Sequence, residues 1–199
     1  VETYGDEELG INPRVDEELK DYQNVALLGI DATDAKAEKG HRSDAIIIVS
    51  VNKETKDVNL FSVYRDTYVK IDDTHGLDKI NHAYAYGSLE QSLWAINKNL
   101  DLNIREGIAL SWERIVKVVD ERGGITVNGT DNEEQYLNRG FGEKDKLKSS
   151  GEQVLNGNQA VLYSRIRKDS AKGDQRRNER MKIVLAAVLE KAKTTDLSK

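Results

Sequence analysis

An α/β fold is predicted for this 199-residue chain by three observations. The length suits one domain and can bury a core without disulfide or metal support. Near its start lie short apolar runs rich in β-branched residues, NVALLGI and AIIIVSVN. Beyond Lys79 the hydrophobic period lengthens to that of helices. The 38% apolar and 33% charged residues mark a folded chain rather than a disordered one.

Residues 1–22 are acidic and weakly patterned, and are read as a loose arm or short helix ahead of a domain over 23–199. Residues 24–30 form a first strand ended by Asp31, and a polar loop follows to about Gly40. Residues 45–52 read as a buried central strand. KETKD is a turn, so residues 58–64 return as the second arm of a hairpin. Leu89, Leu93 and Ile96 then mark a helix over 88–98, and 104–110 a further strand. Ser111 caps a helix with Ile115, Val118 and Val119 on its buried face. Gly123 and Gly124 stop it, and 125–127 is extended. Residues 128–150 read as a surface loop or small insertion with short elements. A helix over 158–167 offers Ala160, Val161 and Tyr163 for packing. The last helix, from about Gly173, carries a core stripe of Met181, Val184, Leu185, Val188 and Leu189.

Some chemistry is excluded at once. The chain has no cysteine, so thiol catalysis, disulfides and cysteine-held metals are out. His41, His75 and His82 lack the spacing and companions of a zinc site. No apolar run reaches the length of a membrane span. Nucleic acid is not expected as a partner, because the net charge is -5 and the basic patch lacks an aromatic stacking surface.

Positive charge is concentrated in SRIRKDSAKGDQRRNERMK, residues 164–182, whose eight basic and three acidic residues give +5. Arg177 and Arg180, three apart, share a helix face near the helix start. Backbone N–H groups and the helix dipole favour an anion there, and arginine forks suit phosphate oxygens. A second charged group is set by topology. In an antiparallel meander, Asp31, Arg42, Asp44, Arg65 and Asp66 fall on one sheet edge. Two carboxylates among arginines suit a hard cation, and Mg²⁺ takes one or two carboxylates beside phosphate oxygens and water. Lys79, Asn81 and His82 either join this site or form a structural turn.

The ordered segments NVALLGID, HRSDAIIIVSVN, VNLFSVYRD, KINHAYAYG, ERGGITV, LNGNQAVLYSRIR and GDQRRNER resemble the LytR-CpsA-Psr family over roughly 24–190. That resemblance implies a single-domain mixed central β-sheet flanked by helices, with an apolar cavity for a polyprenyl chain. It implies a phosphotransferase moving a glycopolymer, of teichoic acid or capsular polysaccharide type, from a polyprenyl-pyrophosphate carrier to peptidoglycan. It places the domain on the extracytoplasmic face of the bacterial cell membrane. The chain opens on Val1 rather than methionine, and a trimmed start that has lost a membrane anchor is expected. By motif match Asp31 and Asp44 hold Mg²⁺, and Arg42, Arg65, Arg165, Arg167 and Arg177 line the pyrophosphate, supported by Lys79 and Arg180. Asp44, Arg65 and Arg167 are the expected catalytic groups, and Asp66 orients an arginine. The base is left open between a carboxylate such as Asp44 and a metal-polarised hydroxyl.

The chain departs from the family pattern at Tyr64, where proline is usual, at Gln175 and Arg176, and at Met181. Two alternatives stand beside transfer. One is a pyrophosphatase with water as acceptor, and the other a non-catalytic envelope binder of lipid or polymer.

Overall fold

The computed structural model describes residues 4–31, 40–140, 146–147, 150–166 and 173–193. The chain divides into two compact units, 1–112 and 113–199.

The first unit opens with α1 (Pro13–Glu18), which Asn12 caps by accepting the Arg14 N–H at 3.0 Å, with Pro13 pre-set in the first turn. Its central sheet comprises β1 (Tyr22–Ile30), β2 (Ser43–Asn52), β3 (Val58–Val63) and β6 (Glu106–Ser111) in the order β3-β2-β1-β6. The first three run as the expected antiparallel meander, and β6 pairs parallel to β1. The sheet is therefore mixed, as the resemblance implies. Consecutive residues along β2 from Ala45 to Val49 are all buried, so both faces of this strand are removed from water.

The β1–β2 ladder carries one irregularity. Gly29 faces Ala45, but Ile30 faces Ser43, so Asp44 is the extra residue of a bulge. A bulge frees one residue from the ladder and re-aims its side chain. Gly29 fits this crowded pairing because an added Cβ would stand 3.1 Å from that of Ala45.

A small hairpin, β4 (Tyr68–Asp72) with β5 (Gly76–Lys79), follows β3. The sequence reading assigns nothing to it. Helix α2 runs from His82 to Leu100, starting six residues before Ser88. Its backbone leaves the helical region at Gly87 and at Ser88, where φ is 59° and ψ −146°. The predicted start marks this kink rather than the chain's entry into the helix. Leu28, Ile46, Ile48, Ile71, Leu93 and Ile96 belong to one core cluster. Leu9 and Ile11 join it, so the segment expected as a loose arm or short helix is packed. Arg105 binds Asp6 at 2.8 Å and Asp16 at 2.9 Å, and Asn97 donates to the Leu9 carbonyl at 2.9 Å.

The second unit contains most of α3 (Trp112–Glu121), then β7 (Ile125–Gly129), α4 (Asp131–Gly140), β8 (Gly151–Leu155), α5 (Gly157–Arg165) and α6 (Gly173–Lys193). Strands β7 and β8 pair antiparallel, and α6 packs on α5 and β7. The stretch expected to hold short elements supplies the end of β7 and all of α4. Asn156 and Gln159 form a capping box at the start of α5. Gly157 lies so close to α3 that a Cβ would clash with the Val116 carbonyl. In α6, Met181, Val184, Leu185 and Val188 are buried as predicted, while the Leu189 side chain lies outside the described residues.

Candidate functional site

Strand ends in the first unit assemble the predicted charged group. Asp31 follows β1 and its N–H donates to the Arg42 carbonyl at 3.2 Å, which sets the end of β1 beside the entry to β2. The bulged Asp44 accepts from Arg65 Nη1 through Oδ1 at 2.6 Å. Arg65 Nε lies 3.5 Å from Asp66 Oδ2, and Lys79 Nζ lies 3.0 Å from Asp66 Oδ1. Asp44, Arg65, Asp66 and Lys79 thus form one alternating chain of charge. Asp66 is held below the usual carboxylate range, chiefly by its hydrogen bond to Lys79. It pairs with both Arg65 and Lys79 here.

The segment after β5 is laced into the same strand ends. The Asn81 N–H donates to the Arg65 carbonyl at 3.2 Å, and the Ser43 N–H donates to the Asn81 carbonyl at 3.3 Å. Ser43 Oγ and Asn81 Oδ1 are buried and have no hydrogen-bond partner among the described residues. Unsatisfied buried polar atoms are uncommon in folded proteins and often mark a place for water, an ion or function.

Beside this lies a titratable cluster of which sequence reasoning offers His82, as a site group or a turn residue, and misses Asp78, Tyr86 and the pairing of His75. Asp78 Oδ2 receives the Tyr86 hydroxyl at 2.8 Å and lies 2.6 Å from His82 Nδ1. Asp78 Oδ1 accepts the Lys79 N–H at 2.7 Å. These bonds, His82 foremost, lower the Asp78 carboxyl from 3.8 to about 2. His75 Nδ1 lies 2.7 Å from Asp72 Oδ2, and its ring stacks on Tyr86 at 4.0 Å. The Tyr86 hydroxyl is raised, chiefly by donating to Asp78, while the Arg42 charge pulls it down. The only sequence hint is the i, i+4 spacing of Asp78, His82 and Tyr86.

The second unit treats its predicted arginines differently. Arg165 ends α5 and is exposed, whereas Arg177 is 3% exposed. Arg180 is 2% exposed: its Nε binds Glu133 Oε1 at 2.6 Å and its Nη1 donates to the Ile166 carbonyl at 3.0 Å. Arg176 reaches the same Glu133 oxygen at 3.3 Å. Glu133 also accepts the Thr130 N–H at 2.9 Å, so it caps α4 while anchoring α6. Arg180, expected as a supporting ligand contact, is buried and bonded inside its own unit. Arg167 and the Asp174 side chain lie outside the described residues.

A cavity of about 380 Å³ lies at the opposite end of the sheet, lined by Asp16, Lys20, Asn24, Lys53, Asn103 and Arg105 among others. This charged lining is unlike the apolar cavity expected for a prenyl chain. No helix among the described residues is long and apolar enough to cross a membrane.

With this geometry in place, known proteins supply the comparison. The chain is 35% identical over 186 residues to polyisoprenyl-teichoic acid–peptidoglycan teichoic acid transferase TagU of Bacillus subtilis (strain 168), covering 94% of this chain and 55% of that protein. A solved structure of TagT bound to LIIa-WTA superposes with a TM-score of 0.75 and 32% identity, over 89% of this chain and 66% of that one. The LytR-CPS2A-psr family protein YwtF (TagT) with bound octaprenyl pyrophosphate lipid gives 0.71 and 31%, over 89% and 67%. The chain therefore spans little more than half the length of the transferase it matches. The LytR_cpsA_psr family model matches residues 3–198, and the chain belongs to that family.

Proposed function

We propose that this chain is the transferase domain of a cell-envelope protein that moves a glycopolymer of teichoic acid type from a polyprenyl-pyrophosphate carrier to peptidoglycan. The observation that carries this reading is the linked set Asp44, Arg65, Asp66 and Lys79 at one sheet end. A set of fixed cations beside carboxylates suits a pyrophosphate, whose charge grows as the bond between its phosphates breaks. The similarity to proteins crystallised with octaprenyl pyrophosphate and with LIIa-WTA supports the donor class.

In this reading Arg42, Arg65 and Lys79 bind and orient the pyrophosphate, and Asp66 holds Arg65 and Lys79 in register. Arg165, Arg167 and Arg177 are proposed as further phosphate contacts by motif match alone. Asp31 and Asp44 would hold Mg²⁺. Their number fits a cation that takes one or two carboxylates, and no group of three metal-binding side chains occurs among the described residues. When bound, the cation supplies charge neutralisation at the phosphate oxygens. An acceptor hydroxyl on peptidoglycan attacks the glycan-linked phosphorus, the bond to the bridging oxygen breaks, and polyprenyl phosphate leaves. We place the domain outside the cytoplasmic membrane.

The test is to incubate the protein with a lipid-linked glycan donor, peptidoglycan and Mg²⁺. A covalent glycan–peptidoglycan product and free polyprenyl phosphate are expected. Polyprenyl phosphate released without coupling would make it a pyrophosphatase. Binding of donor without turnover would make it a binding protein.

A further inference from the structure

The transfer reading leaves one proton without a receiver, that of the acceptor hydroxyl. Asp44 has one oxygen held by Arg65. We propose that His82, oriented by Asp78, accepts this proton and is the general base of the reaction; the inference rests on the transfer reading.

Three features carry it. The first is orientation. Asp78 is bound by three donors and stays ionised to about pH 2, so it fixes the hydrogen of His82 on Nδ1. Nε2 is left as the acceptor nitrogen, the arrangement by which a carboxylate readies an imidazole for proton uptake. The second is availability. No hydrogen bond to Nε2 occurs among the described residues, and the His82 side chain is 20% exposed. The third is placement. His82 follows Asn81, whose backbone joins the Arg65 carbonyl to the Ser43 N–H, next to Asp44. His75 has a similar carboxylate partner but lies in the β4–β5 turn, its ring face covered by Tyr86. His41 has its Nδ1 against the Asp31 carbonyl, which cannot stabilise an imidazolium as a carboxylate does.

The proton balance closes. The Nε2 lone pair takes the hydroxyl proton as the acceptor oxygen bonds to the glycan-linked phosphorus. The bond from that phosphorus to the bridging oxygen breaks, and polyprenyl phosphate leaves with the electron pair. The imidazolium, stabilised by ionised Asp78, returns its proton to solvent or to the leaving phosphate. Among the described residues, titratable and charged groups surround the dyad from several elements. They are Tyr86 on α2, His75 in the turn, Asp72 on β4, Lys79 on β5 and Arg42 ahead of β2.

The bland alternative is a structural clip closing the first turn of α2. Single-turnover transfer from a polyprenyl-pyrophosphate-linked disaccharide to peptidoglycan, followed from about pH 5 to 9, separates the two. His82→Gln is expected to slow transfer by about 100-fold or more while donor affinity stays within about twofold, and to abolish the acid limb of the pH profile. Asp78→Asn should slow it by about tenfold or more and alter the same limb. A clip would lower the melting temperature and leave the limb in place. If His82→Gln does not fold, Asp78→Asn decides alone, and a wild-type rate and limb overturn the proposal. If both variants transfer normally while Arg65→Ala loses donor binding, the base is elsewhere and the transfer reading stands. A wild-type protein that gives no product with any donor removes the transfer reading and the base with it.

Discussion

Arg65 and Arg180 are both arginines bonded to a carboxylate at 2.6 Å, yet one is partly exposed and the other buried. The Arg65 side chain keeps 27% exposure at a sheet end, where a ligand can share it. Arg65→Ala should leave the melting temperature within a few degrees and weaken binding of a prenyl pyrophosphate by about tenfold or more, read by calorimetric titration. Arg180 and Glu133 are 2% and 3% exposed, and losing one partner strands a buried charge. Arg180→Ala should therefore cost about 3–5 kcal/mol in denaturant unfolding. The first pairing was legible in the sequence because a meander fixes where Asp44 and Arg65 fall. The second was not: Glu133 and Arg180 are 47 residues apart, and nothing local in either segment names the other. Arg180 lies in a motif that reads as phosphate-binding, and its burial shows only in the fold.

Among the elements, those with a strong period were placed correctly and those defined by turns were missed. The β-branched run of β2 and the apolar stripe of α6 carry their own signal. The β4–β5 hairpin has short strands, and the exposed Tyr68 and Leu77 break any alternation. Its function follows from where it delivers Asp78 and Lys79. The N-terminal segment was read as a loose arm or short helix because its few apolar residues lack a period. Its attachment depends on Asn97, a buried amide that donates to Leu9 and Ile104 carbonyls and accepts the Ile104 N–H, all within 2.9 Å. Replacing Asn97 with alanine strands those groups and should cost about 2–4 kcal/mol, seen as a lower denaturation midpoint and faster amide exchange across residues 9–11.

For the whole molecule, the carboxyls held low among the described residues gather in the first unit. Asp16, Asp66, Asp72 and Asp78 all lie there, and all are lowered by the bonds that hold them. A carboxyl lowered in the folded state stabilises it above the unfolded value and loses that effect as pH falls through the folded value. For Asp78 this window runs from 3.8 down to about 2. Both tryptophans, Trp94 and Trp112, belong to this unit, so intrinsic fluorescence reports it selectively. Its denaturation midpoint should decline across that interval, and less steeply in Asp78→Asn. The fold class was legible at this scale because composition and period set it. The division into two units was not, since no proline- or glycine-rich linker separates them.

The kink in α2 joins two helical segments with different surroundings. Residues 89–100 answer to the core, where Leu93 and Ile96 are buried. Residues 82–86 send Ala83 and Tyr84 into the same core and leave His82 and Tyr86 bonded to Asp78. Gly87 is the joint: a Cβ there would stand 2.6 Å from that of Gln91, whose amide holds the Ile71 carbonyl of β4. With the joint intact, the side chains at 82 and 86 can be exchanged while Ala83 and Tyr84 keep their places in the core.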